Sequence, residues 1–151
     1  MAQQVSTAIV DTYAIMADLT GQAPRGAVEV LDDIRMGRIE GIIHYLIIYE
    51  LSYHWRKNRL PFASEAELLE FIHKYFTIIT IDERIALEAS KVKIIGDKLL
   101  LESGDPGLKH RRLSIADSAT IALAEKTKLP IITGDMDLSF VAERLGLKVI
   151  W

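Results

Sequence analysis

The stretch IITGDMD, residues 131–137, sets two isoleucines and a threonine against a glycine and two aspartates. Apolar β-branched residues read as a buried strand, and the glycine and acids end it. Two explanations compete for Asp135. It caps the helix that follows, because aspartate accepts well from the free N–H groups of a helix start. Or it holds something cationic at the edge of a sheet. The same join of strand and acid recurs early in the chain, where residues 5–10 (VSTAIV) run into Asp11. Ligands of open α/β sheets gather at the carboxyl ends of the strands. If the two strands are close neighbours, their acids converge on one edge.

The remaining pattern supports such a sheet. Residues 13–19 predict a helix, and GQAPRG at 21–26 breaks it with glycine and proline. A helix over 27–36 carries Val28, Leu31 and Ile34 at helical spacing and stops at Gly37. GIIHY at 41–45 is a short strand, followed by a helix over 46–57. Ser64 and Glu67 make a capping box ahead of the stripe Leu68, Phe71, Ile72 and Tyr75. FTIITI at 76–81 is a strand, and Thr80 with Glu83 repeats the box spacing to open a long helix ending near residue 102. After the SGDPG loop at 103–107 come a helix over 114–126, a strand over 130–133, a short helix near 138–145 and a strand over 148–151. Short apolar strands alternating with amphipathic helices specify a parallel sheet covered on both faces. The expectation is one α/β domain over residues 1–151.

Composition narrows the chemistry. No apolar run reaches the roughly eighteen residues that a membrane span needs, and the first residues lack the pattern of a signal peptide. Cysteine is absent, which removes disulfides and thiolate metal sites and makes the cytoplasm the default compartment. The net charge of −3 provides no global field for nucleic acid. The basic runs RKNR at 56–59 and KHRR at 109–112 read as solvated surface. His44, His54, His73 and His110 show no paired ligand spacing, so they read as surface or structural residues and argue against zinc.

Two further acids stand out. In LSIADSATIALA, residues 113–124, Ser114 is a good N-cap and Asp117 falls three positions later, as a capping box requires. That also puts a carboxylate at a helix start, with Ala119, Ala122 and Ala124 small enough to bring the helix close to the sheet. Glu50 lies in LIIYELSYHW, flanked on the helical wheel by Leu46 and Ile47 with Tyr53 near. A buried unpaired carboxylate costs several kcal/mol or takes up a proton. A cationic partner is the economical explanation. Arg56 and Lys57 lie six and seven residues on, which leaves His54 as the only near pairing within the helix. Two unit charges about 4 Å apart repel by roughly 4 kcal/mol at an effective dielectric near 20. A cluster of Asp11, Glu50, Asp117 and Asp135 therefore needs a cation or protons, and oxygen-only ligands favour Mg²⁺ or Mn²⁺.

In order and spacing, IVDT at 9–12, YELSY at 49–53, LSIADSATIALA at 113–124 and LPIITGDMDL at 129–138 resemble the PIN-domain nucleases over essentially the whole chain. In length the chain is most similar to toxins of VapBC-type toxin–antitoxin pairs. The resemblance implies a three-layer α/β/α fold with a parallel sheet of about five strands. It implies a Mg²⁺- or Mn²⁺-dependent ribonuclease in which Asp11, Glu50, Asp117 and Asp135 are the catalytic, metal-holding quartet. Asp137 is then an auxiliary acid, and Thr12 and Thr133 orient carboxylates. A metal-activated water would leave 5′-phosphate and 3′-hydroxyl ends on RNA, with no histidine base. Tyr13 stands where a small hydroxyl residue is common, and Leu138 where an aromatic is common. The expected partners are an RNA substrate, a second copy of the chain, and a small antitoxin covering part of the crowded region at Tyr49, Tyr53 and Trp55. The alternative is a catalytically silent scaffold of the same fold that binds RNA or a protein. A haloacid-dehalogenase-like phosphatase needs an aspartate where Tyr13 stands. A receiver domain needs an early acidic pair at its phosphoacceptor, whereas Asp32 and Asp33 fall in a helix.

Overall fold

The computed structural model describes residues 4–151. The chain runs through β1 (Thr7–Val10), α1 (Thr12–Leu19), α2 (Arg25–Arg35), β2 (Glu40–His44), α3 (Tyr45–Arg56) and α4 (Glu65–Tyr75). It continues with β3 (Phe76–Ile79), α5 (Glu83–Leu101), α6 (Ile115–Thr127), β4 (Ile131–Ile132), α7 (Met136–Arg144) and β5 (Val149–Ile150). All strand pairs are parallel, in the order β3-β2-β1-β4-β5. The fold is a three-layer α/β/α sandwich.

Alternation along the strands fills two separate cores. Ala8, Val10, Ile43 and Ile132 face α1 to α4, where Ile15, Leu31, Ile47, Leu51, Leu68 and Ile72 meet them. Ile9, Ile42 and Ile131 face α5 to α7, against Val92, Leu113, Ile121 and Val141. Strands buried on both sides read as continuous apolar runs, as β1 and β4 do. From β1 the sheet grows one way through β2 and β3 and the other way through β4 and β5. The topological switch point therefore lies between β1 and β4. Residues 5–10 and 130–133 were expected as strands, and both are shorter in the fold, but they are the strands that pair there.

Local start signals differ in two places. Thr80 does not cap α5, because pairing of Ile79 with His44 keeps the chain extended to that point. Asp82 is the cap and accepts from the Ile85 N–H at 2.8 Å. Ser64 caps α4 as expected, while Glu67 reaches past the cap to the Ala63 N–H at 2.6 Å. Helix α7 starts at Met136, earlier than its apolar pattern indicates, because Asp135 is its N-cap.

His44 ends β2 in full burial, and its Nε2 lies 2.8 Å from the Thr120 hydroxyl, joining the sheet to α6. Burial pushes the imidazole down from 6.5 to about 4, so the folded protein keeps it neutral. The unfolded chain takes up this proton first. The contribution is thus complete above the unfolded value of 6.5 and is lost as pH falls toward 4. His44→Gln keeps a polar reach toward Thr120 without titrating. Its melting temperature is expected to fall less than that of the wild type between those two pH values. Parallel melting curves for the two proteins would remove His44 from the acid response.

Candidate active site

At the switch point a cleft of about 560 Å³ opens, lined by Asp11, Glu50, Asp117, Asp135 and Asp137 together with Thr12, Tyr13, His54, Arg59, Arg112 and Ser114. Each acid arrives by a different local route. Asp11 follows β1 directly and caps α1, its Oδ1 accepting the Ala14 N–H at 2.9 Å. Asp135 follows β4 and caps α7, accepting the Leu138 N–H at 2.9 Å. Ser114 caps α6 by accepting the Asp117 N–H at 3.0 Å, which fixes Asp117 in the first turn. Glu50 comes from the second turn of α3.

Two threonines tie these pieces together. Thr133 donates to Asp11 Oδ2 at 2.7 Å and accepts the Asp135 N–H at 3.0 Å, so one hydroxyl joins the ends of β1 and β4. Thr12 donates to Glu50 Oε1 at 2.6 Å and joins the start of α1 to α3. The hydroxyl is a hydrogen-bond donor to Glu50 and adds no positive charge, and the nearby cationic side chains turn elsewhere. Arg56 instead pairs with Glu65, and Lys57 stands over the Tyr53 ring. Asp137 is also buried, but it is neutralised: Arg111 Nε lies 2.7 Å from its Oδ1 and 2.8 Å from its Oδ2.

The remaining charge is poorly compensated. Burial, opposed by the Thr133 and Ala14 hydrogen bonds and reinforced by Asp135 and Glu50, raises Asp11 from 3.8 to about 7. Burial, then repulsion from Asp135, Asp11 and Glu50, raises Asp117 to about 8. Near neutral pH both are poised to take up a proton or give one up. Among the described residues, no group of three or more His, Asp or Glu side chains stands together at metal-ligand spacing. The fit to a metal rests on donor chemistry: Asp11, Glu50, Asp117 and Asp135 offer mutually repelling carboxylate oxygens to one cleft, and such a set suits a hard divalent cation, which displaces protons on binding.

Three features escaped the sequence reading. The basic runs are not merely solvated surface, because Arg59 and Arg112 line the cleft and Arg111 binds Asp137. Tyr13 is half-exposed and meets the edge of Trp151, with ring centroids 5.6 Å apart. Gly134 is required beneath that indole, since a Cβ there would stand 2.3 Å from it. The only early signal for the arginines was their clustering. Leu138, where an aromatic is common, is fully buried and faces the core rather than the cleft.

The chain belongs to the PIN domain family, whose model matches residues 8–144. No curated protein matches it by sequence. Solved structures share the fold at low identity. VapC20 from Mycobacterium tuberculosis, a Sarcin-Ricin loop cleaving toxin, aligns with a TM-score of 0.63 and 14% identity over 89% of this chain and 93% of its own. A chain of VapBC2 from Rickettsia felis, bound to a DNA fragment from their promoter, gives 0.60 and 14% over 95% and 96%. FitAcB from Neisseria gonorrhoeae gives 0.60 and 18% over 93% and 94%.

The raised acids set a sign for pH. The folded state holds the Asp11 and Asp117 protons to about 7 and 8, while the unfolded chain releases them near 3.8. Their ionisation therefore lowers stability as pH rises across that window. Asp117→Asn is expected to flatten this loss and to raise metal-free stability near pH 8. Mn²⁺ should raise the wild-type melting temperature more at high pH than at low pH, and do less for the variant. Calorimetry showing identical pH and Mn²⁺ responses in the two proteins would reject the electrostatic account.

Proposed function

We propose that this chain is a metal-dependent endoribonuclease and the toxin of a toxin–antitoxin pair. The observation that carries the reading is the convergence of Asp11, Glu50, Asp117 and Asp135 on one open cleft, where burial and mutual repulsion raise two of them, Asp11 and Asp117. Membership of the PIN domain family supports it, as does the likeness in fold to a Sarcin-Ricin loop cleaving toxin. The alternative, a silent scaffold, would be marked by loss of an acid, and the cleft holds all four.

In this reading Asp11, Glu50, Asp117 and Asp135 hold Mg²⁺ or Mn²⁺. The ion, when bound, lowers the pKa of a water and neutralises charge developing on the scissile phosphate. The protein's own work is positioning. Thr133 and the Ala14 N–H fix both oxygens of Asp11, and the α7 cap fixes one oxygen of Asp135, which lines the cleft. Thr12 holds Glu50 against α1. Asp137, occupied by Arg111, acts by anchoring the basic loop before α6.

Partners follow the same reading. Tyr45, Tyr49 and Tyr53 recur at four-residue spacing on α3 and are 55%, 68% and 47% exposed. Trp55 is partly buried and packs against the core, its indole N–H donating to the Phe62 carbonyl at 2.8 Å. The tyrosine face is proposed as the contact for a second copy and a small antitoxin. The structures of VapBC2 and FitAcB are the analogy behind this proposal. Cytoplasmic residence is part of the same reading, and no helix among the described residues is long and apolar enough to cross a membrane.

Two measurements test this. Asparagine caps a helix about as well as aspartate, so Asp135→Asn should fold normally. It is expected to lose at least about tenfold in Mn²⁺-dependent RNA cleavage, roughly 1.4 kcal/mol of transition-state stabilisation. Asp137→Asn should lose less. Full activity in Asp135→Asn would return that residue to a purely capping role. For assembly, light scattering at micromolar concentration should give a dimer that Tyr49→Arg weakens, and a wild-type monomer would end the dimer proposal.

A further inference from the structure

Helix α3 ends in a way that bears on the cleft. Asn58, the only asparagine in the chain, takes the left-handed conformation at φ 59°. The Asn58 N–H donates to the Trp55 carbonyl at 2.9 Å, and the Arg59 N–H to the His54 carbonyl at 3.0 Å. This is the paired hydrogen-bond pattern of a Schellman cap, in which the residues now occupied by Arg59 and His54 commonly make an apolar contact. Here the contact is polar: Arg59 Nη1 lies 3.0 Å from His54 Nδ1. Burial, then the Arg59 charge, push the His54 imidazole down against the opposing pull of Glu50, in keeping with a nitrogen that accepts from the guanidinium. The cap therefore fixes the backbone of Arg59, and the histidine steers its guanidinium.

Arg112 lines the cleft from the loop before α6. It lies two residues before Ser114, the cap of α6, and its Nη1 makes a long hydrogen bond to the Arg111 carbonyl at 3.4 Å. Helices α3 and α6 pack on opposite faces of the sheet, so the two arginines reach the cleft from opposite layers. Neither is ion-paired among the described residues, although five carboxylates line the same cleft. Arg56 and Arg111, their neighbours in the two basic runs, are paired. A guanidinium presents five donors in a planar fork that matches phosphate oxygens. Here most of them are unspent.

We infer that Arg59 and Arg112 form a two-point grip on the backbone phosphates of single-stranded RNA, one on each side of the acidic floor. The inference rests on the ribonuclease reading and extends it: the acids act at the scissile phosphate, and the arginines hold its neighbours in register. The local pairing also answers an electrostatic objection. A polyanion must approach a floor of carboxylates in a protein of net charge −3, so the attraction has to be local. Recognition through phosphates orients the strand without reading its sequence.

The test is fluorescence anisotropy of a short labelled single-stranded RNA across a salt series, in Ca²⁺ in place of Mg²⁺ to slow cleavage. The proteins are wild type, Arg59→Gln, Arg59→Lys, Arg112→Gln and His54→Ala, with Arg38→Gln as control for a surface charge paired with Asp33. Each glutamine variant in the cleft is expected to weaken binding about tenfold and to reduce the slope of log affinity against log salt by roughly one. Arg59→Lys should restore the slope but only part of the affinity, because it lacks the fork. His54→Ala should weaken affinity while leaving the slope intact. Mn²⁺ should still raise the melting temperature of the arginine variants as in the wild type. Wild-type binding with both cleft variants indistinguishable from Arg38→Gln would overturn the grip and leave the ribonuclease reading standing. Wild type that neither binds nor cleaves RNA would overturn the reading and the grip with it.

Discussion

The hydrogen bond from Thr133 to Asp11 spans the two strands on which the site depends. Asp11 is almost wholly buried, and a buried carboxylate is costly wherever it lacks donors. Thr133 can supply one only because β4 lies next to β1, with Val10 in register with Ile132. That adjacency is the switch point of the sheet, from which α1 and α7 depart to opposite faces. Strand order, helix placement and the Asp11 environment are one constraint seen at three scales.

Local chemistry made part of this legible. A strand running into an acid is visible in VSTAIVD and IITGD, and a serine three residues before Asp117 announces the α6 cap. Alternating burial, which needs only the period of a strand, separates Ile9 from Ala8 and Val10. What the sequence concealed was pairing at a distance. Glu50 accepts a hydrogen bond from Thr12, 38 residues earlier, and Asp137 pairs with Arg111, 26 residues earlier. Neither partner has any periodic relation to the acid it serves. The basic runs failed for a related reason: clustering shows charge, but only the αL turn at Asn58 and the cap at Ser114 decide where it points.

Thr80 and Asp82 illustrate how tertiary structure chooses between adjacent signals. Both are acceptable caps by residue type, and Thr80 has the better box with Glu83. Parallel pairing to His44 commits Ile79 to the sheet, so the helix begins only after the chain has left it. The strand wins because its ladder and buried contacts outweigh one cap, which contributes about 1 kcal/mol.

The choice first posed by IITGDMD, cap or cation, is not exclusive. Asp11 and Asp135 are both N-caps, accepting from the Ala14 and Leu138 N–H groups, so the positive ends of α1 and α7 lie beside these two carboxylates. Favourable interaction with a helix end is worth about 0.3–1 kcal/mol per charge at an exposed site. Repulsion between two carboxylates about 4 Å apart at an effective dielectric near 20 is roughly 4 kcal/mol, several times larger. Caps can therefore aim the acids but cannot neutralise them together. The remainder falls on protons, in line with burial and then mutual repulsion raising Asp11 to about 7 and Asp117 to about 8, or on a cation that replaces those protons. Capping sets the geometry, and the uncompensated charge sets the affinity for whatever enters.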